Sequence, residues 1–173
     1  MSKEFNIGNN RRVVVNKCDE DFVIIIEEVG SDLKSLKFSI KRWAQLTALE
    51  YFIDQQVNQL LGRSDKVAFQ VHLGGGFYVS VTSGFDCVDL REFYFNKNKG
   101  FPCPSKKGIA LRIVEWEKLK QVFFEINKNF PTLSTTQPCS DGTDHYNQES
   151  ALSCHECHPF QYEELLFSQK VQP

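Results

Sequence analysis

"LKFSIKRWAQL" (Leu36–Leu46) and "IALRIVEWEKL" (Ile109–Leu119) match at a spacing of 73 residues. Leu36 falls on Ile109, Phe38 on Leu111, Ile40 on Ile113, Trp43 on Trp116 and Leu46 on Leu119; further on, Ile53 falls on Ile126. The chain has two tryptophans, and they occupy equivalent places, so the sequence reads as an internal duplication. Both stretches alternate apolar and polar residues before the period changes. Trp43, Leu46, Leu49, Ile53, Val57 and Leu60 then recur at helical spacing, as do Trp116, Leu119, Phe123, Ile126 and Phe130. Each copy therefore ends in a helix with one apolar stripe.

Upstream of these anchors, "FNIGNNRRVVV" (from Phe5) resembles "FQVHLGGGFYVSV" (from Phe69), and "FVIIIEEV" corresponds to "CVDLREFY". These runs are β-branched and aromatic, as strands require. Asn9-Asn10 and Gly74-Gly75-Gly76 supply hairpin turns. Each copy reads strand, turn, strand, turn, strand, loop, strand, helix. The fold class is α+β, with two tandem β-β-β-β-α units over residues 1–62 and 66–130, joined by "LGRSDK" (Leu61–Lys66). A unit of about 60 residues is marginal alone. The two are expected to share a core as an intramolecular pseudo-dimer.

The net charge of −2 over 173 residues hides an uneven distribution. Residues 1–65 carry 9 Lys+Arg against 10 Asp+Glu, residues 66–130 carry 10 against 6, and residues 131–173 carry 1 against 6. A basic centre is masked by an acidic tail, and local charge governs nucleic-acid affinity. There is no apolar run long enough to span a membrane, and "MSKEFNIGNN" has no signal-peptide stretch. An intracellular protein with reduced thiols is expected, its six cysteines serving as core residues or metal ligands.

"FQVHLGGGFYVSV", "VDLREFYF" and "PSKKGIALRIVEWEKLK" resemble the successive motifs of the RNA polymerase II transcriptional coactivator family called positive cofactor four, over about residues 66–128. Residues of about 5–61 resemble it more distantly. The resemblance implies a β-β-β-β-α fold that binds single-stranded or melted DNA as a dimer. It also implies a nuclear location, partners in the transcription machinery and no enzymatic activity. The family's strand arginine falls on Arg91, its following aromatic on Tyr94, and its basic pair on Lys106 and Lys107. An aromatic of the second hairpin falls on Phe85. In the first copy the place of Arg91 falls near Ile26, and "SDLKSLK" replaces the basic pair, so this half is expected to act mainly as the dimer partner.

Such chemistry needs cations along phosphates and flat rings against bases, each stacked base contributing about 1–3 kcal/mol. Arg91 can fork a phosphate or stack its guanidinium plane. Gly108 is expected to let a Lys106-Lys107 turn close before the last strand. Alternation places Asp89, Arg91, Phe93 and Phe95 on one face, and Tyr94 needs a bulge to join them. Two other readings stand beside this one: a protein-interaction scaffold that has lost DNA binding, and a single-stranded-RNA binder. No phosphate loop or nucleophile triad points to catalysis, and His72 reads as a surface residue.

The tail, residues 131–173, changes character: "PTLSTTQPCSDGTDHYNQES" (131–150) is polar and turn-rich and reads as a loop or disordered segment. Further along the tail, "CHECHPF" holds the CxxC pair Cys154 and Cys157. With Cys139 and His145 upstream, these make a four-ligand set suited to zinc, with His158 as an alternative to His145. A redox-sensitive dithiol and a disordered tail with no role are the other readings. "PFQYEELLFSQK" reads as one or two helical turns whose Phe160, Leu165, Leu166 and Phe167 dock on a partner or on the chain itself.

Overall fold

Asn9 and Asn10 both take left-handed φ values, 48° and 60°. Asparagine tolerates this conformation, and a tight hairpin whose twist matches its strands needs it. The turn joins β1 (Ser2–Gly8) to β2 (Arg11–Cys18). Gly74, Gly75 and Gly76, all at positive φ, make the corresponding turn between β5 (Ala68–Gly74) and β6 (Phe77–Thr82). Both hairpins slip register just before the turn, at Asn6/Gly8 and at His72/Gly74. The computed structural model describes residues 1–63, 65–145 and 148–171. The joint expected at 61–66 includes residue 64, and the tail includes 146, 147, 172 and 173, which lie outside the described residues.

The first sheet continues with β3 (Asp21–Glu28) and β4 (Ser35–Phe38), the second with β7 (Cys87–Asn96) and β8 (Phe101–Arg112). Each is antiparallel with its four strands in sequence order. Helices α1 (Ile40–Ala48) and α2 (Glu50–Gly62) follow the first sheet, and α3 (Ile113–Asn129) follows the second. The Ser39 hydroxyl accepts the Arg42 N–H at 3.3 Å to start α1. At the start of α3, Glu115 Oε2 reaches back to the Arg112 N–H at 2.8 Å.

One continuous helix was expected after β4, but the chain breaks at Leu49. Its N–H is shared between Gln45 O and Leu46 O at 3.2 Å each. Thr47 Oγ1 also donates back to Ala44 O at 3.0 Å, a bond that bends helices. The stripe survives the bend: Trp43, Leu46, Ile53, Val57 and Leu60 are buried.

Residues of both sheets and all three helices form one apolar cluster. Phe38 of β4 meets Phe77 of β6 at 5.8 Å between ring centroids. Phe123 stands edge-on to both tryptophans, 5.1 Å from Trp43 and 5.9 Å from Trp116. Polar ties cross between the sheets' units at their margins. Trp116 Nε1 donates to Asp54 at 2.8 Å, and Lys120 reaches the same carboxylate at 2.9 Å. Buried Glu115 accepts from Asn9 Nδ2 at 2.8 Å and Arg11 Nη1 at 2.7 Å. Beside β8, the Gly108 N–H donates to Leu33 O at 2.9 Å.

Two expectations are corrected here. "SKKG" is no turn: β8 runs through it, and the true connection is Asn96–Gly100, where Asn96 Oδ1 accepts the N–H groups of Asn98 and Lys99 at 3.0 Å. The stretch 131–150, expected as loop, carries α4 (Pro131–Thr135) and the start of α5 (Gln148–Ser153), and the helical turns expected after it are α6 (Gln161–Val171). Leu133 of α4 is buried in the shared core, and the 11 residues of α6 make about three turns rather than one or two.

Candidate nucleic-acid interface and metal-ligand cluster

The register Val79–Leu90–Ile109 runs through the buried face of the second sheet, so the adjoining rows point to the opposite face. Those rows are Tyr78–Arg91–Gly108 and Ser80–Asp89–Ala110. Phe85, 67% exposed, joins them, and with Asp89, Arg91, Pro104 and Ala110 it lines an open groove of about 390 Å³. Phe85 and Arg91, expected together in a strand-binding face, therefore share one groove.

Opposite Glu92, β8 inserts Ser105, Lys106 and Lys107, because Arg91 pairs with Gly108 but Phe93 with Pro104. The two lysines sit exposed in this bulge, next to Ser105 on β8. Lys107 Nζ lies 3.6 Å from Glu92. The bulge is on β8, so β7 keeps its alternation and Tyr94, half exposed, falls on the face opposite Arg91. The structure thus groups Arg91 with Phe85, sets Lys106 and Lys107 beside them, and leaves Tyr94 apart.

Arg91 is already engaged. Its Nε and Nη2 donate to the two Asp89 oxygens at 3.0 and 2.9 Å, and its Nη1 donates to Ser105 O at 3.0 Å. The Asp89 hydrogen bonds push its pKa above the usual arginine value. The third bond ties Arg91 to the lysine bulge. Gly108 serves this arrangement by close approach rather than by turn conformation: a Cβ there would come within 2.8 Å of both Arg91 Cζ and Leu90 O. Gly108→Ala is expected to cost about 1–3 kcal/mol, read by urea denaturation, and to dislodge the Arg91 fork.

In the first sheet the register Val13–Ile26–Leu36 matches Val79–Leu90–Ile109. Ile26, expected near the place of Arg91, instead holds that of Leu90 and is fully buried. One row on, Arg12–Glu27–Ser35 stands where the second sheet has Tyr78–Arg91–Gly108. The arginine's place is thus taken by an acid, bound by Arg12 Nε at 2.8 Å. Lys34 is drawn to Glu28 at 3.0 Å.

His72, expected at the surface, is half-buried. Its Nε2 accepts the Gly76 N–H at 3.0 Å, its ring lies 4.9 Å from Tyr78, and burial pushes its pKa down. The glycine turn it supports also seats the tail. Arg42 crosses so closely that a Cβ on Gly75 would collide with its guanidinium. Arg42 then holds Glu156 through both oxygens, and the Gly75 N–H donates to Glu156 O at 2.8 Å.

The four expected metal ligands do converge. One ligand atom from each of Cys139, His145, Cys154 and Cys157 lies within 4.8 Å of the other three. Cys139 and Cys154 sulfurs are 3.7 Å apart, and Cys157 Sγ is 3.4 Å from His145 Nε2. A tetrahedron with metal–sulfur bonds of about 2.3 Å has edges of about 3.8 Å, so the spacing fits. Burial opposes ionisation of Cys154, but the backbone N–H groups of Cys157 and Glu156, with the His145 and Cys139 side chains, bring its thiol to about 7. Burial and the neighbouring Cys139 push Cys157 up to about 12. His158 is exposed and lines the adjoining pocket with His72 instead of entering the cluster.

The chain has two four-stranded antiparallel sheets, the first followed by two helices and the second by one, and the second sheet carries Arg91 and Phe85 on its outer face. Residues 77–122, from β6 into α3, match the family described as Transcriptional Coactivator p15 (PC4). A curated protein of Caenorhabditis elegans, named a putative RNA polymerase II transcriptional coactivator, is 38% identical over 52 residues. The match covers 30% of this chain and 42% of that relative's length. Through this second unit the chain is similar to the PC4 coactivator family, and the chain spans less than half the length of the relative it matches. No solved structure matches it significantly. No described helix is long and apolar enough to cross a membrane.

Proposed function

We propose that this chain is a nuclear transcriptional coactivator that binds single-stranded or melted DNA on the outer face of its second sheet. The observation that carries the reading is the shared groove of Arg91 and Phe85, with Arg91 tied through Ser105 O to the bulge that holds Lys106 and Lys107, inside the segment matching the coactivator family. The 73-residue correspondence, the matching registers and the common core support two tandem copies paired as an intramolecular pseudo-dimer. Glu27 in the place of Arg91 makes the interface one-sided, the first unit serving as structural partner. Titration of labelled single-stranded and duplex oligonucleotides at low salt tests this: tighter single-strand binding supports it, and equal or absent binding overturns it. RNA competitors decide which nucleic acid is preferred.

The same charge reversal favours a second reading, a protein-interaction scaffold. A stable protein partner whose binding survives alanine at Arg91, Lys106 and Lys107, with no DNA affinity, would establish it.

The ligand cluster is read as a structural zinc site, in which three sulfurs and one imidazole would fill a closed tetrahedron. Bound zinc would fix the knuckle that presents Glu156 to Arg42. One zinc per chain is expected by elemental analysis. Cobalt substitution should give the absorption of tetrahedral sulfur ligation, and Cys154→Ser should lose both.

A further inference from the structure

The open groove does not end at Arg91. Tyr78, the register partner of Arg91, stacks on Phe93 at 4.2 Å with ring planes 32° apart. Phe95 follows on the same face by alternation, and Lys97 and Lys99 lie beyond it at the hairpin end. This aromatic ladder has the chemistry of a base-stacking platform with flanking cations. It is roofed by the tail.

Phe160 lies against Phe95, 6.4 Å between centroids at 37°, and fills the space above Gly76. Phe167 sits so tightly on Gly100 that a Cβ there would penetrate its ring. Leu166 and Glu163 border a small pocket with Phe95 and Lys97. Glu164 is close enough to Tyr78 to add to the burial that raises its pKa. Yet no residue of α6 is itself fully buried, and Tyr162 and Leu165 are 70% and 57% exposed. The roof is therefore a thinly held piece of mixed apolar and acidic residues. It sets rings where bases would stack and two carboxylates beside the ladder, where phosphates would run.

We infer that the Tyr78–Phe93–Phe95 ladder is a second, covered segment of the strand-binding path, and that α6 is an acidic cover displaced by a single strand long enough to reach it. This rests on the strand-binding reading above. A short strand occupies the Phe85–Arg91 groove and leaves α6 in place, whereas a longer one must expel it.

The test uses the full chain with labelled oligothymidylates of short and long length. Phe160→Ala/Phe167→Ala is expected to bind the long strand about tenfold tighter and the short strand unchanged. Glu163→Gln/Glu164→Gln, which leaves the apolar contacts intact, is expected to tighten long-strand binding several-fold, and carries the test alone should the first variant be unstable. Long-strand affinity equal to the parent chain in both variants, with short-strand binding intact, overturns the cover. Weaker long-strand binding also overturns it, because the tail would then contribute to the site. If the parent and every variant bind neither strand, the strand-binding reading fails, and the cover with it.

Discussion

Arg91→Ala is expected to weaken single-strand binding more than tenfold, while Asp89→Asn strengthens it several-fold. Arg91 is the cation at the centre of the groove, and its fork is held by Asp89 at 2.9 and 3.0 Å. A phosphate must take that fork from Asp89, or share it. Removing the arginine deletes a charged contact and a guanidinium plane, and tenfold corresponds to about 1.4 kcal/mol. It also frees Ser105 O, which ties the lysine bulge to the groove. Asparagine at 89 keeps the shape and releases the arginine. The ion pair is partly solvent-exposed, so its loss should cost the fold no more than about 1 kcal/mol. Arg91→Lys separates charge from geometry: it retains the cation but loses the planar fork. Binding isotherms over a salt series give the readout. Each lost phosphate contact should flatten the slope of log affinity against log salt by about 0.7 on single strands. An Asp89→Asn chain that binds no better than the parent would show that Arg91 does not meet the strand.

The strand–helix junctions at Leu36 and Ile109 were legible because they rest on local periodicity, and the burial of Trp43 and Trp116 follows from it. The failures share a different cause. "SKKG" looks like a turn because lysines and glycine usually make one. Its place inside β8 depends on pairing with β7, which no local pattern encodes. The offset between Ile26 and Glu27 is likewise a matter of cross-strand register: one step exchanges a buried aliphatic residue for a charged one. The glycine turn takes its role in seating the tail from Arg42 and Glu156, residues 114 positions apart in the chain. The engagement of Arg91 by Asp89 could have been found beforehand, since alternation alone puts residues two apart on one face. The metal-ligand set was visible because cysteine and histidine are sparse enough for their clustering to carry information.

Trp116→Ala is expected to cost about 3–5 kcal/mol, by the usual scale for emptying an aromatic core site. Folded domains have only about 5–15 kcal/mol in total, so much of the chain's stability should go. Trp116 is fully buried, edge-on to Phe123, and its Nε1–H is the bond to Asp54 in the other unit. Phe123 in turn touches Trp43, so the cavity opens where the two units meet. Because the cluster runs through both sheets, one cooperative unfolding transition is expected, shifted as a whole. Two transitions, with only one of them moved, would show that the halves fold independently and the core is not shared. Replacement by phenylalanine sharpens the test. Trp116→Phe loses the indole N–H and leaves Asp54 to Lys120 alone, which should add about 1–3 kcal/mol for the unmade bond. Among the described residues the Trp43 Nε1 has no hydrogen-bond partner. Trp43→Phe therefore gives up packing volume but no bond, and it removes a buried donor that was never satisfied. The two tryptophans match in sequence and in burial, yet the same conservative change should cost distinctly more at 116 than at 43, because only Trp116 adds a hydrogen bond across the two units to its packing.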